Sequence, residues 1–188
     1  MNPNLLYTLA LTYIPQVGPI NQKKILSITD AESFWKLPSK EQNRIFRGRK
    51  DILKHLQSSE CLGLALKELE FCQKNGIDVL HHASENYPEK LKNCIDSPLI
   101  LFKKGNYNFN QNLHIGVVGT RKMTSYGKKF IESFLNDLSS QNITIVSGLA
   151  YGCDIEAHRV AIKNNTPNLA VLAHGLNKIS PAAHKTEA

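Results

Sequence analysis

Cysteine is sparse and unpatterned in this chain. Cys61, Cys72, Cys94 and Cys153 form no C-x-x-C pair, which excludes a zinc ribbon and offers no disulfide framework. Reduced thiols packed as small hydrophobes are the expectation. No apolar run reaches the roughly 18 residues that a membrane span needs. The start, Met1-Asn2-Pro3-Asn4, lacks the basic residues of a secretory signal, so the expected location is cytoplasmic. No G-x-G-x-x-G and no G-x-x-x-x-G-K-[ST] occurs, which removes the dinucleotide fingerprint and the Walker A loop. G-x-S-x-G is missing too, so nothing points to a serine nucleophile. No cofactor and no metal are expected.

What the chain does have is an excess of positive charge. Its 188 residues carry 23 Lys plus Arg against 16 Asp plus Glu, a formal charge of +7 with a pI near 9.2. That balance leans toward an anionic partner without naming one. Hydrophobic residues at 41% and charged residues at 21% are ordinary for a globular chain, which excludes disorder as the main state. The excess divides as +3 over residues 1–70, +1 over 71–112 and +3 over 113–188, with no basic tract. To act together, these charges must be gathered on one face by folding. An ordinary solvated surface is the other reading.

Residues 1–70 read as a small helical domain. Leu5, Leu6, Leu9 and Ala10 recur at helical spacing. A turn follows at Ile14-Pro15-Gln16-Val17-Gly18, and Asp30 before Ala31-Glu32 has the form of a helix N-cap. The turn has the position of a helix-hairpin-helix turn, but Gln16 stands where such turns usually have their first glycine. Lys23 and Lys24 suit DNA and equally a solvated face, and a structural or partner-docking role fits the module better than duplex binding. Residues 71–112 read as a connecting segment, with short strands at Ile77–Leu80 and Leu99–Phe102. From residue 113 the pattern is βαβ: strands near 114–118, 143–146 and 169–172, and helices near 126–140 and 154–163. Phe130, Ile131, Phe134, Leu135 and Leu138 are expected on one buried face. The fold class is therefore α/β, an incomplete Rossmann-like parallel open sheet preceded by a small all-α helix-hairpin-helix or SAM-like domain. The chain ends about 16 residues past its third parallel strand, which reads as a domain cut short. Its open edge predicts poor solubility or self-association.

Ligands of open parallel sheets gather at the carboxyl ends of the strands. Two loops reach that edge: Gly119-Thr120-Arg121-Lys122 and Ser147-Gly148-Leu149-Ala150-Tyr151-Gly152-Cys153-Asp154. Each leads into a helix N-terminus, which attracts anions. Gly119 and Gly148 allow close backbone approach, Arg121 offers a planar fork, and Thr120 and Ser147 bring hydroxyls. Each glycine also fits a tight turn with no ligand. Asp154 and His158 lie four apart, a spacing metal ligands can use, although a helix cap and a packed histidine account for them better. His81-His82 reads as surface.

Taken together, Gly119-Thr120-Arg121…Thr124-x-Tyr126-Gly127 and Val146-Ser147-Gly148-Leu149-Ala150-x-Gly152-x-Asp154-x-x-Ala157-His158 resemble the DNA-processing protein A family (DprA, also called Smf). Tyr87-Pro88-x-x-Leu91, Pro98-Leu99-Ile100-Leu101-Phe102-x-x-Gly105 and Ala170-Val171-Leu172…Gly175-Leu176-Asn177…Pro181 extend the likeness along the chain. The resemblance implies a non-enzymatic, cytoplasmic protein of natural transformation and recombination. Such a protein binds and protects incoming single-stranded DNA, assists loading of the RecA recombinase and forms a homodimer in its full-length form. It further implies DNA or phosphate contact by Gly119, Thr120, Arg121, Ser147, Gly148, Gly152 and Asp154; Lys122, next to Arg121, and Tyr151 in the second loop join the candidate set by position. This chain departs from the family at Tyr151, where many members have Arg or Lys and where an aromatic ring can stack on a base instead. Cys153 replaces an aliphatic residue, and Ser180-Pro181 stands where Tyr-Pro is common. The Arg-Asn-Arg motif of the family's later basic segment does not occur in these residues.

Two other readings stay open on the sequence. One is a nucleotide-processing enzyme of the phosphoribohydrolase (lysine-decarboxylase-like) type, which needs a P-G-G-x-G-T-x-x-E stretch absent from these residues. The other is a pure interaction module built on the helical N-terminus.

Overall fold

The computed structural model describes residues 3–46 and 50–188. The chain divides into two units, Met1–Asn110 and Gln111–Ala188.

The first unit is built on α1 (Pro3–Thr12). Leu9, Ala10 and Leu11 are consecutive and all buried, so this helix is enclosed on several sides rather than along one stripe. It packs against α2 (Pro19–Ile28), α3 (Ala31–Lys36) and α6 (Glu60–Lys74). Between α3 and α6 lie α4 (Ser39–Ile45) and α5 (Lys50–Gln57). Asp30 caps α3 by accepting the Ser33 N–H at 2.9 Å, as its position before an acidic first turn leads one to expect. Phe34 is fully enclosed, edge-on to both Trp35 and Phe46. The buried Gln22 amide donates to the Val17 carbonyl at 2.6 Å, which satisfies the turn before α2 from within the core. Gln16 sits at φ 62 in that turn, the left-handed region that explains why glycine is usual there.

β1 (Ile77–His81) and β2 (Ile100–Lys104) pair antiparallel, with Asp78 opposite Lys103 and their charged ends 3.0 Å apart. A single turn, α7 (Glu89–Lys92), lies between them. Leu99 and Ile100 belong to the helical core, and Val79 packs against it. Lys23, one of the two lysines that suited DNA, is committed inside this unit. Its ammonium donates to the Cys94 and Ile95 carbonyls at 3.2 Å each and to the Ser97 hydroxyl. Lys23→Met is expected to lower the stability of this unit by about 1–2 kcal/mol, through loss of charge-assisted hydrogen bonds. A urea melt would show it, and an unchanged midpoint would contradict the assignment.

His81 and His82 are not the surface pair that the sequence suggests. His81 accepts the Ala83 N–H on Nδ1 at 3.1 Å, and the Nε2 atoms of both rings are buried without a partner. His82 lies against the enclosed ring of Tyr87, whose phenol donates to the Pro98 carbonyl at 2.7 Å. Burial pushes the Tyr87 phenol up to about 12. Burial, and then the neighbouring His82, holds His81 below the usual imidazole range; burial, then Lys23 and Lys92, do the same for His82. Both rings therefore favour the neutral form in the fold. The unfolded chain takes up protons near pH 6.5 and the folded chain only at lower pH, so stability is complete above about 6.5 and is lost as pH falls. The urea midpoint of this unit is expected to drop between pH 7.5 and pH 5, with a smaller drop in His82→Gln. A flat or rising profile would rule this out.

The second unit runs β3 (Leu113–Gly116), α8 (Ser125–Leu138), β4 (Ile143–Ser147), α9 (Cys153–Lys163), β5 (Asn168–Ala170). All pairing is parallel, in the order β3-β4-β5, with Leu113 beside Ile143 and Ile145 beside Asn168. The α/β reading thus stands. Ile115, Val117, Ile143 and Ile145 alternate along the strands and meet Ile131, Leu135, Ala157, Val160 and Ala161 of the two helices. α8 departs from expectation. Ile131 and Leu135 are buried, but Phe130 and Phe134 stay 57% and 41% exposed, stacked with ring centres 5.8 Å apart. Each phenylalanine precedes its buried neighbour by one residue, a 100° step around the helix, and the sheet and α9 leave that flank uncovered. The cysteines also split. Cys61 and Cys72 are buried as expected, with burial pushing both thiols up, whereas Cys94 is exposed and Cys153 half-buried.

Candidate nucleic-acid interface

β3 and β4 are adjacent and parallel, so their outgoing loops leave the same edge side by side. Four direct contacts hold the loops together. The Ser147 hydroxyl donates to the Val117 carbonyl at 2.6 Å. The Cys153 N–H, at the start of α9, donates to the Thr120 carbonyl at 3.2 Å. Gly152, at φ 80, lies directly against the Thr120–Arg121 peptide, and a Cβ there would overlap the Thr120 carbonyl oxygen and the Arg121 backbone. Gly119 approaches Cys153 in the same way, with a Cβ 2.5 Å from its sulfur. These glycines are required by loop-to-loop contact.

Several residues singled out from sequence have different tasks in the fold. Ser147 is 4% exposed and its hydroxyl hydrogen is committed to Val117, so it staples strand ends and does not face solvent. Asp154 does not cap α9. Its Oδ2 accepts the Gly148 N–H at 3.2 Å, so the carboxylate braces the second loop and occupies a glycine amide that a phosphate would otherwise meet. His158 is buried and pairs through Nδ1 with the Asn168 amide oxygen at 2.9 Å. Thr120 accepts the Lys122 N–H at 3.1 Å, and Thr124 caps α8 by accepting the Gly127 N–H at 3.1 Å. Among the described residues, the amides of Leu149, Ala150, Tyr151 and Gly152 have no protein partner.

Arg121, Lys122 and Tyr151 come together on one side. They line an open concavity of about 480 Å³ with Gly152, Arg159 and His184. Arg121 and Lys122 are exposed and, among the described residues, form no ion pair. Tyr151 is half-exposed, with its ring edge-on to the buried His184. Arg159 reaches the same wall from α9 and is bonded to Glu187 at 2.7 Å, while Glu156, which also lines the concavity, faces Lys128 at 3.5 Å. The arrangement presents two unpaired cations beside an aromatic face, which suits an anionic chain carrying bases.

Arg159 and His184 were not legible beforehand. Arg159 had only a weak signal, its place on the helix that starts after Gly152 and carries Asp154. His184 had none, because it arrives from a separate 3₁₀ turn, Ala182–His184.

Residues 78–188 match the family model described as DNA recombination-mediator protein A. The chain is 36% identical over 110 residues to DNA processing protein DprA of Bacillus subtilis, covering 58% of this chain and 37% of that protein. It is 39% identical over 101 residues to protein Smf of Escherichia coli, covering 54% and 27%. Protein Smf of Synechocystis aligns over 194 residues at 27% identity, covering 98% of this chain and 48% of that protein. The X-ray structure of DNA processing protein A from Streptococcus pneumoniae superposes with a TM-score of 0.75 at 25% identity, covering 99% of this chain and 62% of that one. The chain thus spans between about a quarter and a half of the length of these curated relatives.

Proposed function

Because the chain belongs to the DNA recombination-mediator protein A family, we propose that it binds single-stranded DNA along the carboxyl edge of its parallel sheet. The supporting observation is the interlocked pair of loops that sets unpaired Arg121 and Lys122 beside the half-exposed Tyr151. Phosphates meet the two cations and open amides, and a base lies on the tyrosine ring. Gly119, Thr120, Gly148 and Gly152 shape the approach, while Ser147 and Asp154 act from within by holding the loops.

The biological role takes its support from relatives named DNA processing protein DprA. In this proposal the protein acts in the cytoplasm during transformation and recombination, protecting incoming single strands and assisting RecA loading, with a homodimer as its full-length form. Its site binds rather than catalyses. Among the described residues no helix is long and apolar enough to cross a membrane. The phosphoribohydrolase reading is not favoured, since the family match lies elsewhere and P-G-G-x-G-T-x-x-E is absent from these residues.

Fluorescence anisotropy with a 20-nucleotide oligothymidine and a duplex of equal length tests the proposal. The single strand should bind more tightly, and incubation with AMP should release no adenine. Equal affinity for both DNAs, or free adenine, would overturn it.

A further inference from the structure

Leu149 stands at φ 63, a left-handed conformation that a bulky residue adopts only when its surroundings hold it there. Its side chain is buried, and the Gly148 amide before it is tied to Asp154. Its carbonyl oxygen lies 2.8 Å from Nδ1 of His184, a ring that is 3% exposed. A carbonyl only accepts, so Nδ1 carries the hydrogen and donates it. The same ring meets Tyr151 edge-on, with centroids 4.8 Å apart at 71°. One buried side chain, reached 35 residues later in the sequence, therefore touches both the strained residue and the aromatic residue two positions on. His184 is itself placed by its own N–H, which donates to the Pro181 carbonyl at 3.0 Å.

We infer that His184 is a positioning residue for the second loop: by holding the Leu149 carbonyl it fixes the left-handed turn and the aim of the Tyr151 ring. Its relevance to binding rests on the single-strand reading above, but the positioning itself does not. His184 contributes geometry and no phosphate contact, so its removal should weaken the stacking part of binding and leave the electrostatic part intact.

Two substitutions test this in the whole chain. His184→Phe keeps a ring against Tyr151 but removes the donor; His184→Asn restores a shorter donor. In the unliganded protein, NMR hydrogen exchange at the amides of Gly148, Cys153 and Ile155, all bonded in or to the loop, should speed up about tenfold in His184→Phe. Exchange within β4 should stay as it was, and His184→Asn should recover part of the loss. With oligothymidine, His184→Phe should bind about five- to tenfold more weakly at an unchanged salt slope. Unchanged loop exchange, or equal loss of protection throughout the sheet, would overturn the inference. If the unmodified protein fails to bind oligothymidine while the loop still loosens in His184→Phe, the nucleic-acid reading falls and the positioning role stands.

Discussion

Gly152→Ala is expected to remove about 3–5 kcal/mol from the stability of the second unit and to abolish measurable oligonucleotide binding. Two effects combine at this position. A φ of 80 is unfavourable for any residue with a Cβ, by about 1–2 kcal/mol. The added methyl would also overlap the Thr120 carbonyl oxygen and the Arg121 backbone. Backbone cannot rotate aside as a side chain can, so one loop must move away from the other. The two effects can be separated with a control: Gly76 has a comparable φ of 62 but open space around it. Gly76→Ala should therefore cost only about 1–2 kcal/mol, and the difference between the two variants measures the loop-to-loop contact. Urea melts followed by circular dichroism would read both. Equal losses in the two variants would show that the loops do not depend on their close approach.

Arg121→Ala is the second large effect, and it is confined to binding. The side chain is exposed and makes no ion pair among the described residues, so stability should change by less than about 0.5 kcal/mol. Affinity for oligothymidine at low salt should fall about tenfold or more. The slope of log affinity against log salt should flatten by about 0.7, the value for one lost phosphate contact on a single strand. Arg121→Lys should recover the slope but only part of the affinity, because an ammonium neutralises a phosphate without the planar fork. An Arg121→Ala variant with the slope of the unmodified protein would place the phosphates elsewhere.

Much of this site could be read from the residues alone, for a physical reason. Strand-to-helix loops at the carboxyl edge of a parallel sheet are local features: Val117, Gly119 and Arg121 follow one strand, while Ser147 ends the next and Gly148 and Gly152 follow it. What was hidden depends on long-range contacts. Nothing near Ser147 indicates that its hydroxyl turns inward to Val117, or that Asp154 reaches back to Gly148 instead of capping its own helix. Lys23 has the look of a surface cation and is held by carbonyls some 71 residues away. Phe130 and Phe134 carry the helical period of a buried face, but period alone does not say how wide a stripe the sheet will cover. The antiparallel pairing of β1 with β2 was equally out of reach, since each strand is short and its partner lies beyond an 18-residue excursion, 82–99, marked by little more than Pro88 and Pro98.

The central claim is that single-stranded DNA lies across the two loops of the second unit. Photo-crosslinking tests it most directly: an oligothymidine carrying 4-thiothymidine is irradiated with the protein, and the attached peptides are identified by mass spectrometry. The account predicts crosslinks at Tyr151 and within Gly119–Met123, and their loss in Arg121→Ala. Crosslinks confined to the helical unit, around the Pro15–Gly18 turn and Lys24, would contradict it.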